Sequence, residues 1–304
     1  MNFLFIFIDG IGLGPDNPEI NPFARASMPV ISSLIDGSKL TIEHAPVETK
    51  IATLLPIDAC LKVDGLPQSA TGQAVLMTGR NIPAEIGIHY GPKPNREITN
   101  VIENGNLFKF LRKSGKNISF LNAYPPSYFN AVTSKRRLHG TIPLSVVSAG
   151  IPLKTQEDLI NGKAVSADFT GSGWINHLGI ENIPILTNEE AGNRIANLAS
   201  EFDFTLFEYW LSDYAGHGCD MDVAVTLLED FDTVIGGILE NWSIKNSLIL
   251  ITSDHGNMED LSTRKHTRNP VPALIIGSSQ FRSEFITGIK DLTDIAPAIL
   301  NILS

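Results

Sequence analysis

Several short apolar runs in this chain stop abruptly at acidic or imidazole side chains, and that pattern constrains the fold more than any other feature. Phe3 to Ile8 ends in Asp9-Gly10. Phe204 to Tyr209 is followed by Ser212-Asp213-Tyr214-Ala215-Gly216-His217. Leu248 to Thr252 gives way to Ser253-Asp254-His255-Gly256. Asn117 to Leu121 and Ala273 to Ile276 are two further runs of this length. Such runs suit strands buried on both faces of a parallel sheet. Helical patterns lie between them: Asn106 to Lys113, Glu189 to Ser200, and Asp222 to Trp242, the last with Ala224, Leu227, Leu228, Phe231, Val234, Ile235, Ile238 and Leu239 at i, i+3, i+4 spacing. Asp220 or Asp222 is placed to cap that helix, and a last helix covers about Ala296 to Leu303. Strands alternating with helices predict an α/β fold, a mostly parallel central sheet with helices on both faces.

In an open parallel sheet, ligands bind outside the carboxyl ends of the strands. Three strands therefore deliver Asp9, Asp213 with His217, and Asp254 with His255 to one edge. His266 follows His255 by a short polar loop and can return there. Three aspartates and three histidines brought together repel or stay unsatisfied without a cation. Mixed carboxylate and imidazole ligation suits zinc, manganese or iron(II) better than calcium. Asp213 and His217 are one helical turn apart, so both side chains can face one ion. His44, His89, His139 and His177 stand outside this pattern and read as structural or surface residues.

Gly65 to Gln73 forms a turn-rich loop leading into a short helix over Ala74 to Gly79. Ser69 or Thr71 would sit near the helix N-terminus, where free N–H groups stabilise an anion. Metal coordination can activate a serine hydroxyl; the bland alternative is an N-cap. A GxSxG elbow is absent, so a Ser-His-Asp acyl-transfer site is unsupported. The glycines at 10, 12 and 14 read GxGxG rather than GxGxxG. Pro15 and Pro18 interrupt the helix a dinucleotide loop requires, which excludes that reading.

Composition removes other classes. A formal net charge of −10 argues against non-specific binding to nucleic acid or an anionic membrane. Two cysteines, Cys60 and Cys219, exclude a disulfide framework and point to a reducing compartment. The first apolar run lacks a basic flank and is too short for a signal sequence, and no stretch is long enough to span a bilayer. The expectation is a soluble cytoplasmic protein. Residues 124–188, rich in Pro, Gly and Ser, resist the strand–helix alternation. They are expected to form a small inserted lid or long loops, on a core of residues 1–123 and 189–304.

The ordered motifs resemble the alkaline phosphatase superfamily, and most closely its cofactor-independent phosphoglycerate mutases, with phosphopentomutases and nucleotide pyrophosphatases as further relatives. They are Phe-Ile-Asp-Gly at 7–10, Gln-Ser-Ala-Thr-Gly-Gln at 68–73 with Thr-Gly-Arg at 78–80, Asp-Tyr-Ala-Gly-His at 213–217, Thr-Ser-Asp-His-Gly-Asn at 252–257 and His-Thr-Arg-Asn-Pro-Val-Pro at 266–272. The resemblance implies a three-layer alkaline-phosphatase-like sandwich with two divalent metal ions, manganese or zinc. One ion would use Asp9, Asp254, His255 and the Ser69 hydroxyl; the other would use Asp213, His217 and His266. Ser69 rather than Thr71 falls at the nucleophile position. No Cys-x-Pro-x-Arg motif is present, which disfavours the related sulfatases. The mutases carry histidine where this chain has Gln73, and a large inserted domain where this chain has a far shorter interval.

These readings lead to a two-metal enzyme acting on a small phosphorylated substrate through a phosphoserine on Ser69. The short interval favours a phosphatase or phosphodiesterase over a mutase, because a mutase must exclude water under a lid. A metal-binding protein without activity is the third reading. Lys135, Arg136 and Arg137 are candidates for an anion clamp, against the plainer reading of a solvated basic run.

Overall fold

Strand β1 (Asn2–Ile8) shows why the sequence splits into layers. Its side chains alternate across the sheet, so Phe3, Phe5 and Phe7 enter one buried cluster while Leu4, Ile6 and Ile8 enter another. A computed structural model describes all 304 residues. The other strands are β2 (Val47–Glu48), β3 (Ala52–Ile57), β4 (Ile118–Phe120), β5 (Ala123–Tyr124), β6 (Lys154–Thr155), β7 (Phe204–Tyr209), β8 (Ser247–Thr252) and β9 (Val271–Gly277). Seven of them form one sheet in the order β2-β3-β9-β8-β1-β7-β4, and β5 pairs with β6.

One face of the sheet is covered by helices Ser69–Thr78, Arg96–Asn104, Leu107–Lys113, Thr141–Ser148 and Ile295–Ile302. The other is covered by Pro29–Leu34, Asn188–Ala199 and the long helix Met221–Asn241. Each cluster holds 35 buried residues, so the sheet is apolar on both sides, as the unbroken runs require. Asp220 caps the long helix, accepting from the amides of Asp222 and Val223, both at 3.1 Å.

The sheet is mixed. β8, β1, β7 and β4 run parallel, while β2, β3, β9 and β8 pair antiparallel. The sequence led to the expectation of a mostly parallel sheet. The difference at β9 has a physical reason. A parallel neighbour requires a crossover that returns the chain to the opposite edge. Residues 253–270 instead stay at the edge where β8 ends, so β9 starts there and runs back. The parallel half is the half that delivers the site.

Residues 124–188 contain helices Pro126–Thr133, Thr141–Ser148, Gln156–Ile160 and Ser172–Leu178. Thr141–Ser148 buries Ile142 and Val146 in the main core. Leu159, Ala164, Trp174 and Ile183 make a small separate cluster with Ala123. No helix of the chain is long and apolar enough to cross a membrane.

Candidate metal centre

β8, β1 and β7 end side by side, and the turn after each carries the polar residues. Asp9 follows β1, and Asp254 and His255 follow β8. Asp213 and His217 lie on the helix Leu211–Gly218 that begins just after β7. His266 sits in the return loop to β9, its Nδ1 2.7 Å from the carbonyl oxygen of Pro67. That bond ties the histidine loop to the serine loop and leaves Nε2 facing the cluster.

Ser69 is the first residue of its helix. Its Oγ lies 3.0 Å from Nε2 of His255. The same Nε2 is 3.3 Å from Oδ1 of Asp9 and 3.6 Å from Oδ2 of Asp254. The Thr71 hydroxyl is engaged elsewhere, donating to the Gln68 carbonyl and accepting from the Tyr90 amide. No side chain caps this helix end; the Thr71 amide donates to the Tyr90 carbonyl, which leaves the amides of Ser69 and Ala70 to meet an anion.

A second group adjoins the first. Nε2 of His266 is 3.3 Å from Nε2 of His217 and 3.6 Å from Oδ1 of Asp213, and His217 is 3.4 Å from Oδ2 of Asp213. The rings of His255 and His266 stack with centroids 3.8 Å apart. Ligand atoms of Asp213, His217 and His266 all lie within 4.8 Å of one another, and so do those of Asp9, Asp213 and His255. Asp213 therefore faces both groups.

The donor set fits divalent cations. Oδ1 of Asp9 and Oδ2 of Asp254 are buried and have no hydrogen-bond partner, a costly arrangement unless a cation meets them. Burial is the main reason the Asp254 carboxyl is pushed well above its ordinary range, with the Asp9 charge next. Burial alone would strip a proton from His255, but Asp254 and Asp9 outweigh it and raise its pKa. His266 goes the other way, lowered by burial and then by the charge of His255.

Further residues hold the ligands. Gln73 donates to Oδ2 of Asp9 at 3.2 Å, leaving Oδ1 free. Ser212 donates to the carbonyl of Asp9 at 2.5 Å. Asn257 donates to Oδ1 of Asp213 at 2.7 Å. Glu259, fully buried, accepts from the amides of Gly12 and Asn257, both at 2.8 Å, from Asn269 at 3.0 Å, and from the Thr267 hydroxyl. It thus joins the loops after β1 and β8 to the loop carrying His266. Glycines 10 and 12 are explained by the same packing. Gly10 has a positive φ, and a Cβ there would come within 2.6 Å of Oδ1 of Asp213; a Cβ on Gly12 would strike the Glu259 carboxylate.

Sequence reasoning passed over Glu259 and Glu208. Only the continuation of the Asp-His-Gly-Asn motif into Met258-Glu259 pointed to the first. Glu208 is the penultimate residue of β7, inside an apolar run. Burial and the neighbouring Asp9 charge push its pKa up to about 8. Of the basic run, Lys135 and Arg136 are exposed and remote from the cluster's contacts, Arg136 donating to Ser134. Arg137 stands over the Tyr128 ring, 4.9 Å from its centroid, at the edge of a cavity beside the site.

A family model described as Metalloenzyme superfamily matches residues 164–304, the segment carrying Asp213, His217, Asp254, His255 and His266. The alkaline phosphatase of the Antarctic bacterium TAB5 superposes with a TM-score of 0.55, covering 99% of this chain and 97% of that one at 13% identity. The carboxy-terminal part of the chain, a little under half of it, is thus similar to the metalloenzyme superfamily. Superfamily relatives similar in sequence are named 2,3-bisphosphoglycerate-independent phosphoglycerate mutases. That of Desulforudis audaxviator is 32% identical over 115 residues, 36% of this chain and 22% of its own length. That of Thermococcus kodakarensis is 26% identical over 309 residues, 89% of this chain and 70% of its own. The first match thus spans about a fifth of the relative's length, while the second runs along most of both chains. The fold shared with the phosphatase includes the N-terminal strand and serine helix, which the family model does not reach.

Proposed function

We propose that this chain is a two-metal phosphoryl-transfer enzyme that hydrolyses a phosphate ester through a phosphoserine on Ser69. The observation that carries the reading is the meeting of the Ser69 hydroxyl with Asp9, Asp254 and His255 around one point. Asp9, Asp254, His255 and Ser69 would hold one ion, and Asp213, His217 and His266 the other, manganese or zinc by the chemistry of the donors. When bound, two such ions neutralise charge on the transferring phosphoryl group and favour the ionised form of a hydroxyl beside them.

The chain's own residues do the rest. Ser69 supplies the attacking oxygen from a fixed position at a helix N-terminus. The amides of Ser69 and Ala70 would receive the phosphoryl oxygens, where the positive end of the helix dipole favours negative charge. His266, pinned through Nδ1 by Pro67, keeps the second group in register with the serine loop. The phosphoryl group passes to Ser69 with loss of the leaving alcohol, then from Ser69 to water.

A mutase is the second reading, favoured by the Thermococcus kodakarensis relative along 89% of this chain. The two differ only in the acceptor of the second transfer. Purified protein loaded with manganese or zinc is expected to release phosphate from simple phosphomonoesters. The Ser69→Ala variant is expected to lose at least about 10³-fold in kcat/KM while keeping its fold. A phosphate-labelled Ser69 peptide from a quenched turnover is the second readout. Full activity in the variant ends the proposal. Isomerisation of 2- or 3-phosphoglycerate without phosphate release would replace hydrolase by mutase.

A further inference from the structure

A cavity of about 700 Å³ opens at the same sheet edge, between residues 122–178 and the helix that carries Asp213 and His217. Its walls are aromatic: Tyr124, Tyr128, Trp174, Trp210 and Tyr214, with Arg137 at the rim. Neither the superfamily match nor the named relatives assign it a ligand.

Its position ties it to the metal centre. Trp210 and Tyr214 flank the first turn of the Asp213 helix, so their backbone is continuous with two ligand-type residues. Tyr124 follows β4, which lies two strands from β1 across β7. Glu208, near the end of the intervening strand, is close enough to both Tyr124 and Asp9 for each to act on its ionisation.

Several polar groups of the wall are engaged within the protein. Asn122 makes a two-way bond with the Glu208 backbone, donating at 2.7 Å and accepting at 2.8 Å. Asp168 accepts from the amides of Gly171 and Gly173 and from the hydroxyls of Ser166 and Ser172. The Trp174 indole N–H donates to Ser166 at 3.0 Å. Beside them stand open ring faces. Trp210 and Tyr214 meet edge to face at 5.2 Å, yet stay 37% and 70% exposed. Large aromatic side chains left in water at a cavity mouth gain most by covering a flat apolar surface.

We propose that this cavity holds the leaving group of the phosphate ester, and that the leaving group carries a planar aromatic ring. The inference rests on the phosphoryl-transfer reading for the identity of the bound group, but not for the binding itself. The decisive comparison is 2-phenylethyl phosphate against ethyl phosphate on the metal-loaded protein. Their leaving alcohols have nearly equal acidity, so a difference in kcat/KM reports the ring. The expected preference for the ring is about tenfold or more. The variants Trp210→Ala and Tyr214→Ala are expected to lose most of that ratio. Equal kcat/KM for the two esters, or a preference that both variants keep, overturns the proposal. A second measurement separates the two readings: calorimetric titration with 2-(1-naphthyl)ethanol. Saturable binding that weakens about tenfold in the double variant, with neither ester turned over, retains the aromatic site and rejects the phosphoryl-transfer reading. No binding of the alcohol, together with equal turnover of both esters, rejects the site alone.

Discussion

The two ligand groups lie side by side but are built differently. In the inner one, the side chains of Asp254 and His255 are wholly buried and Asp9 is 10% exposed. They project from the ends of two paired parallel strands, so a hydrogen-bonded ladder fixes their spacing. In the outer group, His217 is 45% exposed and Asp213 15%. Those residues come from an eight-residue helix, and their partner His266 from a loop. The inner group meets the Ser69 hydroxyl, and in the outer one His217 faces solvent. Under the proposed reaction, strand ends give rigidity where a hydroxyl must be aimed, and a short helix and loop give an opening where substrate enters and product leaves.

The contrast predicts unequal responses to losing one ligand. Asp254→Asn keeps the shape but removes a charge that no water can replace. Turnover is expected to fall by about 10³-fold or more, because a buried ion left short of charge costs several kcal/mol. His217→Ala opens a place that water can fill, and the loss is expected to stay within about 10- to 100-fold, read mainly as weaker metal affinity. Metal content by elemental analysis and kcat/KM across a metal titration check both. Equal losses in the two variants would break the comparison.

Glu259 sharpens it. Its carboxylate joins loops of both groups, so a variant there should disturb them together rather than one alone. Glu259→Gln keeps the size but turns an N–H group toward donors. We expect a stability loss of about 1–3 kcal/mol and a weakening of metal binding by about tenfold. Thermal unfolding with and without manganese measures the first, and metal titration the second. Weakening confined to one of two titration steps would show that the loops act separately.

Much of the inner group was legible in the sequence because each ligand directly follows an apolar strand. A strand buried on both faces must end at the sheet edge, and the next polar residue is then at that edge. The outer group was legible for a different reason: Asp213 and His217 share a helical period. What stayed hidden was whatever depends on contacts remote in sequence. The antiparallel strand β3 was missed, since Ala52 to Ile57 contains Pro56, a residue that argues against a central strand, even though Asp58 marks its end. Gly12 read as part of a failed nucleotide loop until Glu259 was found lying against it. Nothing local in Tyr124, Trp174 and Trp210 announces that they share a cavity, because they come from three separate elements.

The smallest predicted effect concerns pH, and it belongs to the inner group. His255 has its pKa raised from 6.5 to about 10: burial opposes the charge, but Asp254 and Asp9 outweigh it. A raised folded value means that the metal-free native state holds this proton more tightly than the unfolded chain. Its contribution to stability is complete below pH 6.5 and is lost as pH rises toward about 10. The metal-free protein should therefore lose Tm across that window. A divalent cation needs the same nitrogen free of its proton, so metal affinity should move oppositely, tightening by up to about tenfold per pH unit for each proton released. Calorimetric titration with manganese at pH 6.5, 7.5 and 8.5 in buffers of different ionisation enthalpy reads both the slope and the proton count. Asp254→Asn removes the charge most responsible for holding the proton, so it should flatten the slope. His217→Ala should leave it in place, since His217 is not among the groups that raise His255. A slope that persists in Asp254→Asn and vanishes in His217→Ala would move the proton to the outer group and reverse the assignment of the two.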